Sequence, residues 1–280
     1  MAVKLRRSRR ALMEELRYEP TEKHVRATLG DRTVADTKRA VLVWEPRRVL
    51  PSYAVPADDL DAELSPASTA PPEEDRPAGD EILHGGHPFG MHTTGGEALD
   101  LHVDGRTLED AAFRPADPEL EGLVVLDFHA LDTWYEEDEP IVAHPRDPYH
   151  RVDIRRSSRH VRMELDGELL AESSRPHLVF ETGLPVRFYL PREDIRVAIE
   201  PTEKRTYCAY KGEAHYMTLD LKGGPRGDLL WTYPQPLPDA GQLKDLFAFF
   251  DEKVETFVDG ERWGKPTDAL GRSIAEEAGV

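Results

Sequence analysis

The chain repeats itself. The run His24-Val25-Arg26 through Arg39 and Val41-Leu42-Val43-Trp44-Glu45 returns 136 positions later as His160-Val161-Arg162 through Arg175 and His177-Leu178-Val179-Phe180-Glu181, with nine of 22 positions identical and no gap. Unrelated segments of that length would share about one residue, so the chain holds two diverged copies of one domain, over 24–135 and 160–258. After a one-residue slip, Tyr53, Pro56, Asp59 and Leu60 fall on Phe188, Pro191, Asp194 and Ile195. Gly96-Glu97-Ala98 then falls on Gly212-Glu213-Ala214 at an offset of 116, which gives the first copy 19 extra residues. They are visible between Leu64 and Asp75, a stretch of Ser, Pro, Ala and Glu with the composition of an unstructured loop. The expected layout is a basic N-terminal segment (1–16), a first repeat domain (17–140) with a loop insertion at about 61–85, a linker (141–159), a second repeat domain (160–262) and a tail (263–280).

Each copy opens with a hairpin. Val161, Met163 and Leu165 alternate with Arg162 and Glu164, and Asp166-Gly167 supplies the positive φ angles of a tight turn. Val25, Ala27 and Leu29 repeat the pattern, turning at Gly30-Asp31. Further apolar or alternating runs at 177–181, 186–190, 195–199, 214–221 and 228–233 bring the total to about seven short strands per copy, with Gly223 to Gly227 as the last turn. The apolar spacing then changes. Leu243, Leu246, Phe247, Phe250, Val254, Phe257 and Val258 recur at three and four residues, and Asp239 with Gln242 resembles a capping box; this predicts a closing helix. Leu120, Leu123, Val124, Phe128, Leu131 and Trp134 after Asp117-Pro118 predict the same helix in the first copy. The fold class expected is therefore mainly β in two tandem copies, each with about seven strands and one C-terminal helix.

Composition excludes several classes. A formal net charge of −18 repels a phosphate backbone, so nucleic acid is not an expected partner; the one basic run, Lys4, Arg6, Arg7, Arg9 and Arg10, reads as a solvated tail. No stretch of 18 apolar residues is present, and the basic start leads into Met13-Glu14-Glu15, so neither a membrane span nor a secretory signal is expected and the protein reads as cytoplasmic. Cys208 is the only cysteine, which leaves no intrachain disulfide and no multi-cysteine zinc site.

Three separated motifs in the second copy occur in order: Phe188-Tyr189-Leu190-Pro191-Arg192-Glu193-Asp194, Thr206-Tyr207-Cys208-Ala209-Tyr210-Lys211-Gly212-Glu213-Ala214-His215-Tyr216, and Trp231-Thr232-Tyr233-Pro234-Gln235-Pro236. On them the chain resembles the bacterial domain-of-unknown-function family 427, also labelled nucleotidyltransferase-like, over nearly all of 160–262 and more weakly over 17–139. The resemblance implies a β-tent fold, in which two small sheets splay around a pocket, as in zinc-binding and small-molecule-binding relatives. It implies no particular reaction. No glycine-rich phosphate loop leads into a helix and no carboxylate pair is spaced for magnesium, so the residues do not carry the nucleotidyltransferase label.

The candidate chemistry sits in the second copy. A sharp turn at Tyr207 to Gly212 would bring the Lys211 ammonium to Cys208, the pair expected to be catalytic if the protein is an enzyme; in a flat strand the two would face apart, and Cys208 would be core. Tyr189, Tyr207, Tyr210 and Tyr216 would line a pocket, with Asp194 and Arg175 as polar contacts. Arg39 with Glu45 and Arg175 with Glu181 suggest a repeated salt bridge. In the first copy the offset of 116 sets His92, Thr94 and Gly95 against Cys208, Tyr210 and Lys211, which reads as loss or change of the site. His84, His87 and His92, with Glu97 and His102 near them, are weak metal candidates in a glycine-rich loop. A small-molecule-binding module, an enzyme using Cys208 and Lys211 on a nucleotide-like substrate, and a ligand-free scaffold all remain open. The cofactor stays open as well, and the copies are expected to form an intrachain pseudo-dimer.

Overall fold

The computed structural model describes residues 2–3, 5–69 and 81–264. The chain divides into two compact units, residues 1–147 and 148–280. Both are mainly β and carry the same two sheets.

The first unit opens with helix α1 (Leu5–Leu12), so the basic run read as a tail is helical at Arg9 and Arg10; Lys4 lies outside the described residues. Its strands are β1 (Arg17–Pro20), β2 (Val25–Leu29), β3 (Arg32–Thr37), β4 (Val41–Trp44), β5 (Ser52–Pro56), β6 (Glu63–Pro66), β7 (Gly96–Val103), β8 (Arg106–Pro115), β9 (Leu123–Leu126), β10 (Thr133–Glu136) and β11 (Glu139–Ile141). They form a seven-stranded sheet, β1-β4-β5-β9-β8-β7-β6, and a four-stranded sheet, β11-β10-β2-β3.

The second unit repeats the arrangement with β12 (Val152–Arg156), β13 (Val161–Leu165), β14 (Glu168–Ser173), β15 (His177–Glu181), β16 (Arg187–Pro191), β17 (Ala198–Cys208), β18 (Gly212–Asp220), β19 (Arg226–Thr232), β20 (Leu246–Phe249), β21 (Glu255–Val258) and β22 (Glu261–Arg262). Its sheets run β12-β15-β16-β20-β19-β18-β17 and β14-β13-β21-β22. β12 falls inside the segment expected as a linker and forms one edge of the large sheet. The hairpin turns are where the sequence puts them, with Gly30, Asp166, Gly167 and Gly224 all at positive φ. Part of the expected insertion is ordered as the edge strand β6; residues 70–80 of it, and 265–280 of the expected tail, lie outside the described residues.

The closing helices do not form. Residues 238–243 make a short 3-10 turn, after which β20 and β21 are strands; in the first unit Asp117 caps only the 3-10 turn Pro118–Leu120, and β9 and β10 follow. The reason lies in how the large sheet is covered. Successive residues of a strand face opposite sides, and here both sides are buried. Leu178, Phe188, Leu190, Leu230 and Phe249 face Val161, Met163 and Leu170 of the small sheet. Val179, Tyr189, Trp231 and Ala248, their neighbours along the same strands, join a second core with Tyr216 and Tyr233, covered by Ala240 and Leu243. A strand buried on both faces reads as a continuous apolar run, and a short run of that kind mimics helical spacing.

Strand register also moves the alignment of the copies. The ladder irregularity at Leu99–Leu101 recurs at Met217–Leu219, and the left-handed Asp110 (φ 50°) recurs as Asp228 (φ 57°). Both give an offset of 118 rather than 116. Lys211 therefore corresponds to Thr93, Tyr210 to His92 and Cys208 to Gly90. No helix among the described residues is long and apolar enough to cross a membrane.

Candidate functional site

The site develops from the end of β15. Glu181 is the last residue of that strand, and its carboxylate turns inward with a side chain only 6% exposed. A bare carboxylate at that depth would cost several kcal/mol, about the effective burial penalty per ion, so it needs partners. Two arrive from distant segments. Lys211 donates from Nζ to Oε2, and the His150 Nε2 meets Oε1 at 3.0 Å, its tautomer set by the carboxylate.

Lys211 is positioned by the β17–β18 hairpin. Cys208 and Gly212 are cross-strand partners, so Ala209, Tyr210 and Lys211 form the tight loop between them. Gly212 has φ +97°, and a Cβ there would press on the Gln235 carbonyl at 3.3 Å and the Leu237 nitrogen at 3.4 Å, so the position suits glycine. The Leu237 N–H donates to the Lys211 carbonyl at 3.1 Å, which ties the 233–237 segment over the loop.

Electrostatics follow from this burial. Desolvation works against the Lys211 charge, but Glu181, then Cys208 and Tyr189, outweigh it and hold the ammonium's pKa above its ordinary value. Burial likewise opposes the Glu181 charge, and Lys211 with the His150 hydrogen bond overcomes it, holding the carboxyl at about 2. Burial pushes Tyr189 up to about 12 and raises Tyr233, whose neighbours include Tyr189, Cys208 and Glu181. Tyr189 accepts from Trp231 Nε1 at 3.1 Å, and Tyr210 stacks on His150 with centroids 4.3 Å apart. His150, Glu181, Lys211, Tyr189, Trp231, Tyr233 and Cys208 thus form one polar cluster on the outer face of the large sheet, with Lys211 8% and Tyr189 1% exposed.

The structure brings together some of the expected residues and separates others. Lys211, Cys208, Tyr189 and Tyr210 meet at this cluster. Tyr216 is buried farther along β18, where it shares a hydrogen bond with Thr206 at 3.0 Å and lies under Lys204. Tyr207, at 56% exposure, faces solvent. Arg175 and Asp194 lie elsewhere: Arg175 bonds Glu193 at 2.6 Å and Asp194 at 3.4 Å, and both Arg175 and Asp194 line a shallow cleft of about 380 Å³ with His160, Glu172 and Arg196. The repeated pair expected between Arg175 and Glu181, and between Arg39 and Glu45, is thus replaced by Arg175 with Asp194 and Arg39 with Asp59.

The histidine loop of the first unit also separates. His84 and His87 pack edge to face at 4.2 Å, His87 reaches Glu81 at 3.3 Å, and His92 turns away to Glu45. Glu97 pairs with Arg114, and His102 with Ser65 and Thr107. Among the described residues no group of three or more His, Cys, Asp or Glu side chains is arranged to hold a metal ion.

Two features gave no signal in the sequence. His150 is one. The other is a buried ion cluster behind Trp231, in which Arg187 makes two bonds to Glu252 at 2.7 and 2.6 Å and one to Asp251 at 3.4 Å, with its guanidinium 5.8 Å from the Trp231 ring. Burial raises Asp251 to about 6 against the pull of Arg187, and Thr256 donates to it at 2.7 Å. The partners of Arg187 are 64 and 65 residues away, so no local spacing announces them.

A protein-family model described as "Domain of unknown function (DUF427)" matches residues 17–71 and 153–260. The first segment runs from β1 through β6 and the second from β12 to just past β21. No curated protein matches the chain. Matched over more than half its length, in both units and from the first strand of each, the chain belongs to the DUF427 family.

Proposed function

We propose that the second unit is a binding module for a small polar molecule, held at the Lys211–Glu181 pair. The observation that carries this reading is the burial of a complete ion cluster, His150, Glu181 and Lys211, among tyrosines. A well-packed apolar set would hold the sheet at equal or greater stability. Buried groups with displaced pKa values concentrate where proteins bind or react. Because Glu181 neutralises Lys211, the pair offers a donor and an acceptor side by side and no net positive charge. That suits a ligand with an amide-like or imide-like edge better than an anion. The stacked Tyr210 and His150 are the cover, and the ligand enters by displacing them.

The alternative is an enzyme with Cys208 as nucleophile, supported by the influence of Cys208 on the Lys211 charge. The Lys211 ammonium is engaged by Glu181, so binding is preferred. The deciding experiment is a thermal-shift screen of the full chain against cyclic imides, nucleobases, simple amides and sugar phosphates, with Lys211→Met and Glu181→Gln alongside. A ligand at 100 times its Kd adds about 2.7 kcal/mol. An imide or nucleobase should raise Tm in the parent protein and in neither variant. A preference for sugar phosphates, or a shift that survives both substitutions, overturns the reading.

A further inference from the structure

The first unit holds a different cluster in the corresponding place. Glu45, at the end of β4, is 5% exposed and receives the Thr93 N–H on Oε2 at 2.7 Å and His92 Nδ1 on Oε1 at 2.9 Å. The Glu45 carboxylate engages Nδ1, which leaves Nε2 as the ring's second nitrogen. The ring is clamped, stacked on Phe113 at 3.7 Å and edge-on to Phe89 at 5.1 Å, with its side chain 10% exposed. His92 Nε2 is buried and has no hydrogen-bond partner, and the same is true of Asp110 Oδ1. Asp110 sits at φ 50° with its other oxygen against Gly90, where a Cβ would lie 1.9 Å away. Its pKa is raised by burial first, with Asp100 and Asp127 adding to the effect and His92 opposing it.

Both orphaned atoms belong to residues beside Gly90, whose carbonyl accepts the His92 N–H at 2.9 Å and whose Cα abuts the Asp110 carboxylate, and an incoming group that hydrogen-bonds to both would satisfy them. Charge decides which. Arg48 lies 3.7 Å from Glu45 and gives its terminal nitrogen to the carbonyls of Pro88, Phe89 and Met91 at 2.8 to 3.0 Å, so its charge is matched by Glu45. Asp110 Oδ1 has no such partner, and the Asp110 carboxyl stands in the field of two more carboxylates, Asp100 and Asp127, with His92 opposing them. We infer that the first unit carries a cation site of its own, which takes a primary ammonium or amidinium head group with Asp110 Oδ1 as charge partner and His92 Nε2 as second acceptor. The site is independent of the one proposed at Lys211. The offset of 118 shows what separates them: Thr93 supplies a neutral N–H to the strand-end carboxylate where Lys211 supplies a cation.

The test uses the full chain labelled with ¹⁵N-histidine, titrated with methylammonium chloride and, at matched ionic strength, with potassium chloride. Methylammonium should move the His92 ring nitrogens in a saturable way and potassium should not. Asp110→Asn should weaken the response about tenfold or more, since asparagine tolerates the left-handed backbone; Lys211→Met should leave it unchanged. No saturable shift in the parent protein, an equal response to potassium, or full binding by Asp110→Asn overturns the inference and leaves the two atoms to a bound water.

Discussion

Thr93 is the first unit's counterpart of Lys211: its backbone N–H meets Glu45 where the ammonium of Lys211 meets Glu181. A strand-end carboxylate was kept in both copies while its partner changed from a charged side chain to a neutral main-chain group. The second unit therefore places an ammonium directly on that carboxylate, where the first has a main-chain N–H and its cation, Arg48, stands off at 3.7 Å.

Removing one member of that pair strands the other in the core. Lys211→Met and Glu181→Gln should each lower stability by about 3–5 kcal/mol, whereas the double variant should lose less than either. Urea unfolding of the four proteins measures the coupling; additive losses would show that the two side chains do not act as a pair.

Glu181 also predicts acid sensitivity. Its pKa is about 2 in the folded protein against an ordinary 4.5, so its contribution is complete above about pH 4.5 and is lost as pH falls from there through about 2. Urea midpoints should fall across that window in the parent protein and more shallowly in Glu181→Gln, so the difference between the two narrows toward low pH.

Two glycines of the first unit should respond differently to a methyl group. At Gly90 the three atoms nearest the added carbon all belong to the Asp110 carboxylate, the closest at 1.9 Å, so Gly90→Ala should cost about 1–3 kcal/mol and Asp110→Gly should recover much of it. At Gly96 the carbon meets the Arg114 carbonyl at 2.5 Å as well as the Phe113 ring, and the backbone contact has no such remedy. Thermal unfolding of the single and double variants distinguishes the two.

Arg187→Met should be among the most damaging changes in the second unit. It leaves Asp251 and Glu252 buried without their cation, at a cost of about 3–5 kcal/mol. Near-ultraviolet circular dichroism should report the loss early, because Trp231 packs beside the guanidinium.

The hairpins and most strands were legible because one face of each is more polar and the turns carry Gly or Asp at positive φ. The closing segments were not. In 246–249 both faces are buried, so Leu246, Phe247 and Phe249 are apolar together and the period-two signature vanishes. The Gly-Glu-Ala identity at 96 and 212 misled the alignment by two residues, because identity scores side chains while register is fixed by the bulge and by Asp110 and Asp228. Lys211 was legible as a candidate; that it would be neutralised was not, since His150 and Glu181 reach it from 30 or more positions away.

The place of β20 has a further consequence. It is the last strand of its sheet to be made, yet it lies in the middle, between β16 and β19; β9 does the same in the first unit. During synthesis each unit must therefore wait as two separate half-sheets with exposed inner edges until a four-residue strand emerges to join them. Such a unit assembles in one late step and slowly, because the joining contacts are distant in sequence. A ribosome stalled before residue 246 would present two open strand edges, the form in which β proteins are most prone to pair with their neighbours.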